Sequence, residues 1–194
     1  MVQSPSPINW NAELLDQLGW HWTAQARPRL DGLVNEEYFW EPVDGAWNVR
    51  ARAAAEAGPG GNDYVIDWAF PPPEPPPVTT IAWRLTHLIV GVFGDRNARY
   101  FGGPAVSYDS ELPGSADEAL RRLDEGYRVW TEGVRGLGEA GLAGRCREQG
   151  REQLSMAALV LHIHRECIHH LAEVALLRDL WAVIPGWAPL QRLP

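Results

Sequence analysis

Apolar residues return at steps of three and four along four stretches of the chain, and each stretch predicts an amphipathic helix. In the first, about Asn9 to Leu33, the recurring residues are Trp10, Leu14, Leu15, Leu18 and Trp22, and Pro28 should kink the helix or sit near a break. The second runs from Thr79 to about Tyr100, with Thr79 or Thr80 placed to cap it. The third, 115–136, opens on Ser115-Ala-Asp-Glu118, a capping box in which each side chain should reach the other's free backbone N–H. The fourth and longest starts after the cap Ser155 and continues to about Ala182, with Pro185 beyond its end.

Between the first two helices lies an irregular region, 41–78, with Pro42, the Gly-rich run at Gly58 to Gly61, a strand-like piece from Tyr64 to Phe70 and the run PPPEPPP. That is long for a tight connection, so it reads either as a lid or pocket wall or as structural packing. Four amphipathic helices without a competing strand pattern indicate an all-α fold, a four-helix bundle. The long link leaves room for the chain to cross the bundle before helix two begins. With 194 residues and no internal repeat, one domain spanning residues 1–194 is expected.

Composition removes several classes of function. Hydrophobic residues make up 45% and charged residues 22%, an ordinary globular balance. The formal net charge of −8 opposes a phosphate backbone, so no nucleic-acid partner is expected. The start, MVQSPSPINW, lacks the pattern of a secretory signal, and no run reaches the ~18 apolar residues of a membrane span, so a cytoplasmic location and no membrane partner are expected. Cys146 and Cys167 form no CxxC pair, so any metal ligands must come mainly from His and carboxylate.

Helix four holds that chemistry. Four of the 6 histidines and two glutamates fall between His162 and Glu173. One face reads Met156, Leu159, Ile163, Glu166, His170, Val174, Leu177, so Glu166 and His170 interrupt an apolar stripe and should point into the bundle. A carboxylate in hydrocarbon costs several kcal/mol unless it is paired or bound to a cation. A metal shared with His170 would meet that need, and so would a core arginine such as Arg84. A third ligand is available on helix two, where His87 sits in WRLTHLIVG. The pair His169 and Glu173 offers another frame with the same spacing, beside the apolar stripe. Two imidazoles and a carboxylate suit Zn²⁺, and also Ni²⁺, Fe²⁺ or Mn²⁺, and three protein ligands leave a position open.

WRLTHLIVG and HRECIHHLAEVALLRDLW together resemble the DinB/YfiT-like superfamily of metal-binding four-helix bundles. The His/Glu/His pattern resembles the branch that includes the N-terminal domain of mycothiol-dependent maleylpyruvate isomerase. The resemblance implies His87, Glu166 and His170 as metal ligands, and a crossed bundle order with a long link between helices one and two. It also implies a metal-dependent S-transferase acting with a low-molecular-weight thiol of the mycothiol type on an electrophile, and a homodimer. Two rival functions share the site: a hydrolase using metal-bound water, and a non-catalytic, metal-stabilised dimeric binding module.

Overall fold

The computed structural model describes residues 7–55 and 57–184. The expectations on the first six residues and on Pro185 lie outside the described residues. Helix α1 begins at Trp10–His21, capped by Asn9, whose side chain accepts from the N–H of Ala12. It continues through a π turn, Trp22–Ala26, into a tight 3₁₀ turn, Arg27–Leu30, that contains Pro28. Proline has no N–H to give to the preceding turn, which accounts for the loss of regular α geometry there. A short helix α2, Asn35–Tyr38, follows.

The 41–78 region is ordered by hydrogen bonds. Strands β1 (Val49–Ala51) and β2 (Tyr64–Ile66) pair antiparallel, with Val49 opposite Ile66. β2 falls within the strand-like piece of the sequence; β1 was not expected, because three residues are too short to show an alternating pattern. Buried Asn48 accepts from the hydroxyl of Thr80 at 2.8 Å and donates to the carbonyl of Phe39 at 2.9 Å. Arg50 binds Glu41 and Asp67. The region is thereby pinned to the start of the next helix and serves as a packed wall.

Helix α3 starts at Ile81–His87, widens into a π turn over Leu88–Gly94, and ends with Asp95–Phe101. Thr80 is its cap, accepting from the N–H of Trp83. Helix α4, Ala116–Ala143, is interrupted at Gly138, whose φ of 57° lies in the left-handed region. Ser115 caps it as expected, but Glu118 reaches back to the N–H of Gly114 rather than that of Ser115. Helix α5, Met156–Val183, is capped by Ser155.

The apolar stripes of the four long helices meet in one core, with Trp130, Leu18, Phe93, Leu123 and Ile163 fully buried. α1 packs mainly on α4 and α5, and α3 packs on the same two helices. α1 and α3 therefore occupy opposite corners, and the chain between them has to cross the bundle, which is the work of the long 41–78 link. The fold is all-α in its bulk, with a two-stranded ribbon added. Among the described residues no helix is long and apolar enough to cross a membrane.

Candidate metal centre

His87 lies at the end of the regular first part of α3, where the π turn begins. Such turns are often found at functional sites. Trp83, one turn earlier, stacks on the His87 ring with centroids 5.4 Å apart. Trp83 also donates from its indole N–H to the carbonyl of Asp67, and Trp68 stacks in turn on Trp83 at 6.4 Å and lies 5.3 Å from Tyr108. The 41–78 region thus contributes Trp68 to an aromatic wall beside His87.

The Nδ1 atom of His87 shares a 2.7 Å hydrogen bond with Tyr108 Oη. Gly91 leaves space for this bond: a Cβ at that position would stand 2.5 Å from the tyrosine oxygen and 3.2 Å from Nδ1. Burial, followed by the proximity of His170 and the charges of Arg84 and Arg96, pushes the pKa of His87 down to about 4. At neutral pH it is an uncharged imidazole, the form that ligates metals.

The apolar stripe of α5 delivers His170 to the same place. Its side chain is buried, and its ring meets that of His87 edge-on at 4.9 Å. His170 Nδ1 lies 2.7 Å from Glu173 Oε2. A carboxylate only accepts, so the N–H of Nδ1 is directed at Glu173, with an Nη of Arg84 3.4 Å from the same nitrogen. On the other side of the ring, Nε2 stands 3.6 Å from Glu166 Oε2. Glu166 is also 3.5 Å from His162 Nδ1 and 3.5 Å from an Nη of Arg165, and among the described residues these are its shortest ion pairs.

Glu173 is differently placed. Arg84 pairs with it at 3.0 Å, and His169 Nε2 is 3.4 Å away. Burial raises the Glu173 carboxyl, but the hydrogen bond from His170 and the charge of Arg84 outweigh it and hold the pKa below the usual carboxylate range. Arg84, the core arginine that the sequence offered as a partner for Glu166, is therefore committed to Glu173.

Two sets of donors converge on His170. His169, His170 and Glu173 have ligand atoms within 4.8 Å of one another and could hold a divalent metal. On the other side of the ring, Nε2 of His170 faces Glu166, with His87 alongside. Among the described residues the mutual spacing within 4.8 Å is met by His169, His170 and Glu173 and not by the trio His87, Glu166 and His170, of which the structure brings Glu166 to 3.6 Å from His170 and sets the His87 ring beside His170.

The remaining histidines take other roles. His164 is buried and meets Trp130 edge-on at 6.2 Å; His21 bonds to Gln25 at 3.1 Å. Burial pushes the Cys167 thiol up to about 12, which removes it as a nucleophile. Tyr108 and Gly91 take part beside His87 although no sequence pattern marks them. Tyr108 sits in the connection after α3, where helical spacing says nothing about what a side chain touches.

The family model of the DinB superfamily matches residues 65–174, more than half of the chain, and the protein belongs to that superfamily. The matched stretch includes His87 and the His162 to Glu173 cluster. No curated protein and no solved structure matches the chain.

Proposed function

We propose that His87, Glu166 and His170 hold one divalent ion, zinc first and nickel or iron as alternatives, and that the protein uses it as a thiol S-transferase of the mycothiol-dependent kind. The observation that carries the ligand assignment is that Nε2 of His170 and the Glu166 carboxylate face each other at 3.6 Å with the His87 ring alongside. Both histidines have Nδ1 engaged, His87 with Tyr108 and His170 with Glu173, so both rings are held with Nε2 available.

A divalent ion with an open position supplies acidity, keeping a bound thiol in its nucleophilic thiolate form near neutral pH. The chain's own residues prepare the setting. Tyr108 and Glu173 fix the imidazoles, and Arg84 keeps Glu173 ionised so that it goes on accepting from His170. Trp68 and Trp83 cover one side with aromatic surface, which limits access of water and offers an apolar wall to an electrophile.

The mutual distances of His169, His170 and Glu173 favour a second ligand set, and substitution separates the two. Metal content per chain is measured in the wild type and in the His87→Ala, Glu166→Ala and His169→Ala proteins. Loss in the first two with retention in His169→Ala supports the proposal; retention in His87→Ala and Glu166→Ala overturns it. Products formed from an electrophile with and without added thiol then test the transferase reading, since turnover without thiol indicates a hydrolase instead.

A further inference from the structure

We infer that a cavity beside the metal centre is a subsite for the carboxylate end of a small anionic ligand. It has a volume of about 260 Å³ and is lined by Arg96 from α3, Cys146, Glu148 and Arg151 from the link between α4 and α5, and Leu159 and His162 from α5. Only the idea that the ligand's other end reaches the ion rests on the proposed metal assignment; the subsite itself does not.

Two donors in this wall are left over. Arg96 is not one of them: it gives one Nη to the carbonyl of Gly91 and the other to Glu148 at 2.8 Å, and its Nε is buried away from the cavity, so it contributes charge rather than a free N–H. Arg151 is exposed at the rim, and its guanidinium pairs with no carboxylate among the described residues. His162 Nδ1 lies 2.7 Å from an Nη of Arg165. A guanidinium only donates, so Nδ1 accepts and Nε2 carries the second leftover N–H.

The charge balance points the same way. Glu148 is the one acid in the lining, and both its oxygens are taken, one by Arg96 and the other by Tyr100 Oη at 3.2 Å. Arg96 is balanced by Glu148 and by Asp95 at 3.5 Å, so the cation in the lining without a carboxylate partner among the described residues is Arg151, on a chain whose formal net charge is −8. Planar guanidinium groups match the geometry of a carboxylate. Two of the lining residues neighbour the proposed metal residues: His162 Nδ1 is 3.5 Å from Glu166, and the carbonyl that Arg96 holds belongs to Gly91, one turn beyond His87.

The test is calorimetric titration of the full chain with succinate, and with succinamide as the uncharged control, in zinc-loaded and metal-free protein. Succinate should bind once per chain, succinamide should not, and Arg151→Gln should weaken binding at least tenfold while leaving zinc content unchanged. Arg96→Gln should weaken it similarly; because that change also frees Glu148, the exposed Arg151 is the primary variant. No binding of succinate, or equal binding to wild type and Arg151→Gln, overturns the subsite. Binding that disappears with the metal but ignores Arg151→Gln also overturns it, since the carboxylate then sits on the ion alone. If the chain takes up no zinc, the metal assignment fails separately, and the tenfold loss in metal-free Arg151→Gln still reads the subsite.

Discussion

Tyr108 reaches His87 through a gap that exists because residue 91 is glycine. The 2.7 Å bond fixes the ring from the side opposite Nε2, and a methyl group on Gly91 would collide with the tyrosine oxygen. Partners of this kind typically change metal affinity by about 10–100-fold. Tyr108→Phe and Gly91→Ala should therefore each weaken zinc binding by about tenfold or more in competition with a chelating dye, while the far-ultraviolet dichroism stays that of the wild type. Unchanged affinity in both would show that the bond does not support the ligand.

If an ion is held by the native fold and not by the unfolded chain, its removal should cost stability. At a free-metal concentration 100 times Kd the linkage is worth about 2.7 kcal/mol, or about 5–10 °C in Tm for a chain of this size. Adding a strong chelator should lower the wild-type Tm by that amount. It should leave the Tm of Glu166→Ala almost where it was, and an equal drop in both proteins would remove Glu166 from the ligand set.

The helices were legible because their signals are local. Asn9, Thr80, Ser115 and Ser155 are side-chain caps, and the steps of three and four repeat over many turns. Proximity of His170 to Glu166 was legible for the same reason, as i and i+4 share a face. What depends on chain return was not. The ribbon of β1 and β2, the stacking of Trp68 on Trp83 and the approach of Tyr108 to His87 each join residues that no periodicity relates. Arg84 shows the limit within helices: its face could be read, but its choice of Glu173 over Glu166 depends on how α3 and α5 are set against each other.

Away from the site, Arg178 on α5 grips Glu37 on α2 with two bonds, at 2.8 and 3.1 Å, and Glu37 is almost wholly buried. A buried pair broken on one side leaves a charge without its partner, at a cost of about 3–5 kcal/mol. Glu37→Ala should lose stability of that order in urea unfolding. Replacing both residues with leucine should recover most of it, because the unpaired charge is gone; a double variant as unstable as the single one would mean that the hydrogen bonds, not the charge, account for the loss.

Acid should weaken the fold partly through His164, which is buried on a different face of α5 from Glu166 and His170 and packs against Trp130. Burial lowers its pKa to about 4, against about 6.5 in an unfolded chain. The folded state therefore favours the neutral ring. That preference contributes fully above pH 6.5, shrinks as the unfolded chain takes up a proton below it, and is used up once the pH falls below the folded value near 4. The difference amounts to about 3 kcal/mol across that window, at a slope of about 1.4 kcal/mol per pH unit where only the unfolded state is protonated. His87 titrates in the same direction, so the variant must isolate one ring. His164→Leu, followed by urea unfolding at pH 7, 5.5 and 4.5, should keep the wild-type trend but with a slope smaller by about one proton. A slope identical to that of the wild type would mean that His164 takes up its proton equally well in the folded chain, and the acid sensitivity would then belong to His87 and the carboxylates.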